Sequence, residues 1–186
     1  MTVTVVGIGG SVRAGSQSER ALHTALAGAR EAGAEVHAIT GDSLVLPFYD
    51  PHLPERTGNA TALVEALRRA DGVVLSSPGY HGTISGLIKN ALDYVEDLRQ
   101  DDTPYLDGRA VGCIGLAHGW QATVTTLQAL RSVVHALRGW PTPLGGAVNS
   151  AETRFDADGG TSDEKADAVL RTIGRQVVDF AAARRG

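Results

Sequence analysis

The chain has 186 residues, 42% of them hydrophobic and 20% charged, which suits one sizeable core and excludes a disordered chain. Seventeen Lys plus Arg against twenty-one Asp plus Glu leave a formal charge of −4 without a basic tract, so nucleic acid is excluded as an expected partner. The single cysteine, Cys113, excludes a disulfide framework and a cysteine-based zinc site, and it fits a reducing, cytoplasmic setting.

Taken in chain order, short β-branched runs alternate with stretches of helical spacing. Residues 3–8 form a nearly continuous apolar run and predict a strand; Leu22, Ala25, Leu26 and Ala29 then step by three and four along one helix face. A second strand is predicted over 35–40, with a helix carrying Ala60, Leu63, Val64 and Leu67. A third strand over 72–76 precedes a stripe of Ile84, Leu87, Ile88, Ala91, Leu92 and Val95. The fourth run, 111–116, is again continuously apolar, and its helix carries Leu127, Leu130, Val134 and Leu137. A weaker fifth run, 142–148, precedes the stripe Val169, Leu170, Ile173, Val177 and Phe180.

Five βα repeats with two doubly covered strands predict one α/β domain over residues 1–186, a doubly wound parallel sheet. No run approaches a bilayer span and the first residues lack a leader pattern, so no membrane association or processing is expected. The polar insertions 97–109 and 149–163 read as surface loops, with mobile lids or subunit contacts as the alternatives. Ligands of such sheets bind at the carboxyl ends of strands, which singles out the loops starting at Gly9, Ser77 and Ala117.

The first of these, residues 10–18, holds Gly10, Ser11, Arg13, Gly15, Ser16, Gln17 and Ser18 directly before a helix whose first N–H groups lack partners. Gly10 and Gly15 match half of a nucleotide P-loop, but Ser16 and Gln17 stand where Lys and Ser or Thr are required. The dinucleotide fingerprint would need a third glycine at Val12. A phosphate monoester is the better match, bonded by the Ser11, Ser16 and Ser18 hydroxyls and by Arg13. The plain alternative is a serine-capped helix.

The third-strand loop contains Pro78-Gly79-Tyr80-His81-Gly82 and runs on to Gly86-Leu87-Ile88-Lys89-Asn90-Ala91-Leu92-Asp93. With both loops in this order, the chain resembles the NAD(P)H-dependent FMN reductase family of flavodoxin-like proteins. That family pairs a G-S-x-R-x-x-S loop with a later P-x-Y-x-x-x-x-x-G-x-x-K-N-A-x-D stretch.

The resemblance implies a five-stranded sheet ordered 2-1-3-4-5 with helices on both faces. It implies FMN as cofactor, with its phosphate held by Ser11, Arg13, Ser16 and Ser18 beside Gln17. Pro78, Gly79, Tyr80, His81 and Gly82 would line the isoalloxazine, joined by His118 and Gly119 of the fourth-strand loop. The implied reaction passes hydride from NADPH or NADH to flavin N5 and electrons on to free flavin and a flavin-dependent monooxygenase, a quinone, an azo compound or a similar acceptor. Such chemistry needs no catalytic side chain; His81 is the candidate proton donor. A homodimer or homotetramer is also implied, with residues 94–98 extending an interface helix. Ser18 stands where many relatives have Asn, and Gly79 and His81 where many have Glu and Asn, departures that bear on acceptor preference.

Trp120 has two readings, a stacking residue at the flavin or an anchor for a neighbouring subunit. Lys89 and Asp93, one helical turn apart, read as an ion pair or a subunit contact. The competing function is a flavodoxin-type electron carrier that does not oxidise nicotinamide, against which Arg13 and the modest −4 charge count. A flavin-free module that keeps only the fold is a third.

Overall fold

The computed structural model describes residues 2–157 and 159–185. Its strands are β1 (Thr4–Gly9), β2 (Glu35–Ile39), β3 (Gly72–Tyr80), β4 (Thr83–Ile84), β5 (Ala110–Ala117), β6 (Trp140–Pro141) and β7 (Gly146–Asn149). The helices are α1 (Gln17–Glu31), α2 (Gly58–Arg69), α3 (Gly86–Asp93), α4 (Trp120–Ala136) and α5 (Glu164–Arg185). The parallel order is β2-β1-β3-β5-β6, with β7 also pairing with β5 and β4 returning antiparallel on β3. This is the expected 2-1-3-4-5 arrangement with two additions.

The first is a divided fifth strand. The predicted run 142–148 is instead β6 and β7, both parallel to β5, because Pro141 and Pro143 have no N–H to give a ladder. The gap's own polar groups are met by helices: Arg131 donates to the Thr142 and Pro143 carbonyls at 2.9 Å each, and Gln176 accepts from the Leu144 N–H at 3.2 Å. The second is the hairpin strand β4, which takes Ile84 out of the expected helix stripe; α3 begins only at Gly86.

Alternation along the strands sends side chains into two layers. Val6, Ile8, Val73, Leu75, Val111 and Cys113 pack with α2, α3 and α4 through Leu63, Ile88 and Leu130. Val5, Val74, Ile114 and Leu116 pack with α1 and α5 through Leu22, Leu26, Leu170 and Ile173. On that second face Gly7, Gly72 and Gly112 leave room for Leu26, Val177 and Ile173. α1 and α5 also touch backbone to backbone: a Cβ on Gly28 would lie 2.2 Å from the Arg171 carbonyl oxygen, and one on Gly174 1.9 Å from that of Ala25. Cys113 is buried, which pushes its thiol pKa up to about 12. Among the described residues no helix is long and apolar enough to cross a membrane.

Helical periodicity past α3 is real, but its meaning differs from expectation. Residues 94–98 are a 3₁₀ turn, and Tyr94, Val95 and Leu98 point into the chain's own core. Nor is 97–109 simply a surface loop. The buried Arg109 donates to the carbonyls of Ala70 (2.8 Å), Tyr105 (2.8 Å) and Arg68 (3.3 Å), tying the segment to the end of α2.

Asp97 takes two hydrogen bonds from Arg56, at 2.7 and 2.8 Å, and one from the Tyr49 hydroxyl at 3.2 Å. The Arg56 bonds hold its carboxyl below the usual carboxylate range, outweighing the opposing effect of burial. A depressed pKa contributes stability that is complete above the unfolded value and is lost as pH falls through the folded one. Asp97→Asn is therefore expected to be less stable than wild type at pH ~7 and to show a shallower decline toward pH ~3, measured by urea unfolding across that window. Parallel curves would remove Asp97 as a source of the acid sensitivity.

Candidate functional site

Neighbouring strands bring three loops to one end of the sheet. Gly9 is in register with Ser76, Ser76 with Ile114, and Pro78 with Leu116, so the chain leaves β1, β3 and β5 side by side.

Beyond β1, the Gly10 N–H bonds the Ser76 carbonyl at 3.3 Å, and Gly10 (φ +102°) and Gly15 (φ +66°) allow the loop to fold back on α1. Ser16 caps α1: its Oγ accepts from the Glu19 N–H at 3.3 Å and lies 3.2 Å from the Ser18 hydroxyl. Ser18 is buried, and its carbonyl accepts from Ser76 Oγ at 2.8 Å. Ser11 Oγ accepts from the Arg13 N–H at 3.2 Å, leaving the Arg13 side chain exposed. The plain helix-cap reading thus holds for Ser16 and leaves Arg13 for other work.

Three features of this loop were not read from the sequence. Glu19 completes a capping-box-like exchange, taking the Gly15 N–H at 2.8 Å and the Thr40 hydroxyl at 3.2 Å, which sets a carboxylate beside the loop. Gln17 turns away from the loop: its amide exchanges two hydrogen bonds, 2.9 and 2.7 Å, with the backbone of Phe155. Arg20 donates to the same Phe155 carbonyl at 2.7 Å, while its buried Nε has no partner. The segment 149–163 is accordingly not a free surface loop, since the buried Phe155 fastens it to the start of α1.

The third-strand loop is a β-hairpin. Gly79 pairs with Ile84 and Tyr80 with Thr83, so His81 (φ +49°) and Gly82 (φ +91°) form a two-residue turn of the primed kind. The missing side chain of Gly79 makes room for α4, where a Cβ would lie 2.2 Å from Thr126 Oγ1 and 3.1 Å from Ala117 Cβ. Gly82 faces open space, so its turn conformation is what glycine serves there. Pro78 is buried, whereas Tyr80, His81 and Thr83 are exposed at the tip. Behind it, buried Ser77 Oγ accepts from the Ser85 N–H at 3.0 Å, and Ser85 caps α3. On α3 itself, Lys89 and Asp93 form the one-turn ion pair.

After β5, His118 is exposed and Gly119 takes φ +109°. The Gly119 N–H is already used: it donates to Asn149 Oδ1 at 2.8 Å. Asn149 is buried at the end of β7 and donates to Glu152 Oε1 at 2.7 Å, which also accepts from Trp120 Nε1 at 2.9 Å. The segment 149–163 therefore supports both the β5 loop, through Asn149 and Glu152, and the β1 loop, through Phe155. Trp120 keeps 54% of its surface exposed, with its indole oriented by Glu152.

A family model described as NADPH-dependent FMN reductase matches residues 3–153. An NAD(P)H-dependent FMN reductase of Pseudomonas aeruginosa is 27% identical over 174 residues, covering 91% of this chain and 90% of that protein. An FMN-dependent NADPH-azoreductase of Staphylococcus aureus is 30% identical over 132 residues, 70% of this chain and 66% of that one. Among solved structures, the flavoenzyme NAD(P)H:(acceptor) oxidoreductase FerB of Paracoccus denitrificans superposes with a TM-score of 0.75 over 98% of both chains at 21% identity, a likeness of fold.

Proposed function

Since this chain belongs to the NADPH-dependent FMN reductase family, its activity is NAD(P)H-dependent reduction of FMN, and we propose that the site for it is the open surface formed by the β1 loop, the β3–β4 hairpin and the β5 loop. The observation that carries this reading is the convergence of the two motif loops on adjacent strand ends, Gly9 beside Ser76.

The residues there fit a phosphorylated flavin. The loop precedes a helix amino terminus, no carboxylate pairs with Arg13 among the described residues, and a buried guanidinium N–H beside it, Arg20 Nε, has no acceptor. Arg13 and the Ser11 and Ser16 hydroxyls would hold the phosphate, with Ser18 supporting Ser16 from below. Gln17 belongs to the framework, because its amide is spent on Phe155.

Bound FMN supplies the hydride chemistry. The hairpin's part is positioning: the paired backbone of Gly79 and Tyr80 fixes one wall, with Tyr80, His81 and Thr83 exposed toward an incoming molecule. Asn149 holds the β5 loop as the second wall, leaving His118 at its tip. Exposure of both walls suits a donor and an acceptor taking turns at one face. Exposed Phe48, Leu53 and Trp140 support a homodimer or homotetramer as the working assembly, and the single buried thiol supports a cytoplasmic one.

Titration of the purified protein with FMN, followed by anaerobic NADPH or NADH, is expected to give a bound-flavin absorbance that bleaches with at least one nucleotide. FMN bound without bleaching would make the protein an electron carrier instead. Quinone, azo dye and free flavin, offered in turn to the reduced protein, identify the acceptor class.

A further inference from the structure

We infer that Arg20 is a second cation for the flavin phosphate, held in reserve by the Phe155 carbonyl. The inference rests on the FMN site proposed above and adds a residue outside both sequence motifs.

Arg20 sits one turn into α1, with its N–H bonded to the Ser16 carbonyl at 3.0 Å. Its guanidinium lies against the loop: Nη2 and Nε are 3.5 and 3.9 Å from where a Cβ on Gly15 would stand. One nitrogen, Nη1, is anchored on Phe155. Nε is shut away from water with no acceptor, and no carboxylate pairs with the group among the described residues. Burying a guanidinium N–H without an acceptor is unfavourable, and that cost is recovered if a ligand brings the oxygen. Arg109, buried in the same chain, has an acceptor for each of its three guanidinium nitrogens.

Charge gives a second reason. Glu19 has taken the Gly15 N–H and sets a negative carboxylate beside the loop, which cancels Arg13. Only with Arg20 counted is the loop net positive toward a phosphate that is close to dianionic. Phe155 fixes one side of the guanidinium fork, so the remaining donors are oriented before the ligand arrives.

Riboflavin, which lacks the phosphate, separates this role from a structural one. Flavin-fluorescence titration of Arg20→Gln is expected to show FMN binding weakened about tenfold or more, with riboflavin binding unchanged and a shallower salt dependence for FMN. Arg20→Lys, which keeps the charge, is expected to lose only a few-fold. Equal weakening of both flavins, or unaltered FMN binding in Arg20→Gln, overturns the inference while the FMN site stands. Wild-type protein that binds neither flavin overturns the site and this inference together.

Discussion

Gly174→Ala is expected to cost about 3 kcal/mol or more of stability, at the upper end for overpacking, which for a chain of this size lowers the melting temperature by roughly 6–12 °C. The added methyl would stand 1.9 Å from the Ala25 carbonyl oxygen and 2.7 Å from the Ala29 nitrogen. Both are backbone atoms of α1, so no rotamer change relieves the contact and the two helices must part. Parting them also opens the layer where Leu22 and Leu26 meet Ile173 and Val177. Gly58→Ala is the control of opposite sign. That glycine is the first residue of α2, a Cβ there meets nothing within 4 Å, and alanine is the better helix former by up to about 1 kcal/mol. A Gly174→Ala protein that melts within a degree or two of wild type would show that α1 and α5 do not depend on this close approach.

The largest expected effect on flavin binding is at Gly79. A methyl here would press on Thr126 Oγ1 at 2.2 Å, with Ala117 Cβ at 3.1 Å and the Ala122 carbonyl at 3.4 Å. β3 has to shift away from α4, and the hairpin that carries Tyr80 and His81 shifts with it. Strain of about 1–3 kcal/mol, the usual range for overpacking, corresponds to a loss of about 5- to 150-fold in FMN affinity if it is expressed in the site. The first obstacle is a single side-chain oxygen, so Gly79→Ala combined with Thr126→Ala is expected to regain most of the affinity. Titration of the two variants side by side checks this. No recovery in the double variant would place the obstacle in the backbone of α4 instead.

These contacts show which parts of the molecule are legible in a sequence. The runs in β1 and β5 read as buried strands because nearly every residue is apolar, and both are covered on each face. The last four residues of β3, Ser77 to Tyr80, carry no strand signal. They extend only because β5 and β4 pair with them, and a proline and a glycine disguised them as a loop. Stepping by three and four fits a 3₁₀ turn as readily as an interface helix, so Tyr94, Val95 and Leu98 could not be told apart by spacing alone. The residues proposed for the phosphate stand out as a motif, since they fall within one short stretch of the chain. Asn149, Glu152 and Arg20 do not, because each acts through a partner far along the chain: Asn149 on Gly119, Glu152 on Trp120, and Arg20 on Phe155, 135 residues away. Gln17 lies in the same stretch, but its side-chain amide is turned to a partner 138 residues on.

The divided fifth strand also governs how the molecule behaves in a crowd of its own kind. Any sheet that ends in a long, straight, unpaired ladder invites another chain to add to it, the first step toward a fibre. Here that margin offers two residues in β6 and four in β7, with a proline-bearing gap between them whose carbonyls Arg131 has already claimed. An intruding strand would find its register broken before it gained a useful number of hydrogen bonds. The weakest of the five strand signals is thus where the fold protects itself against aggregation.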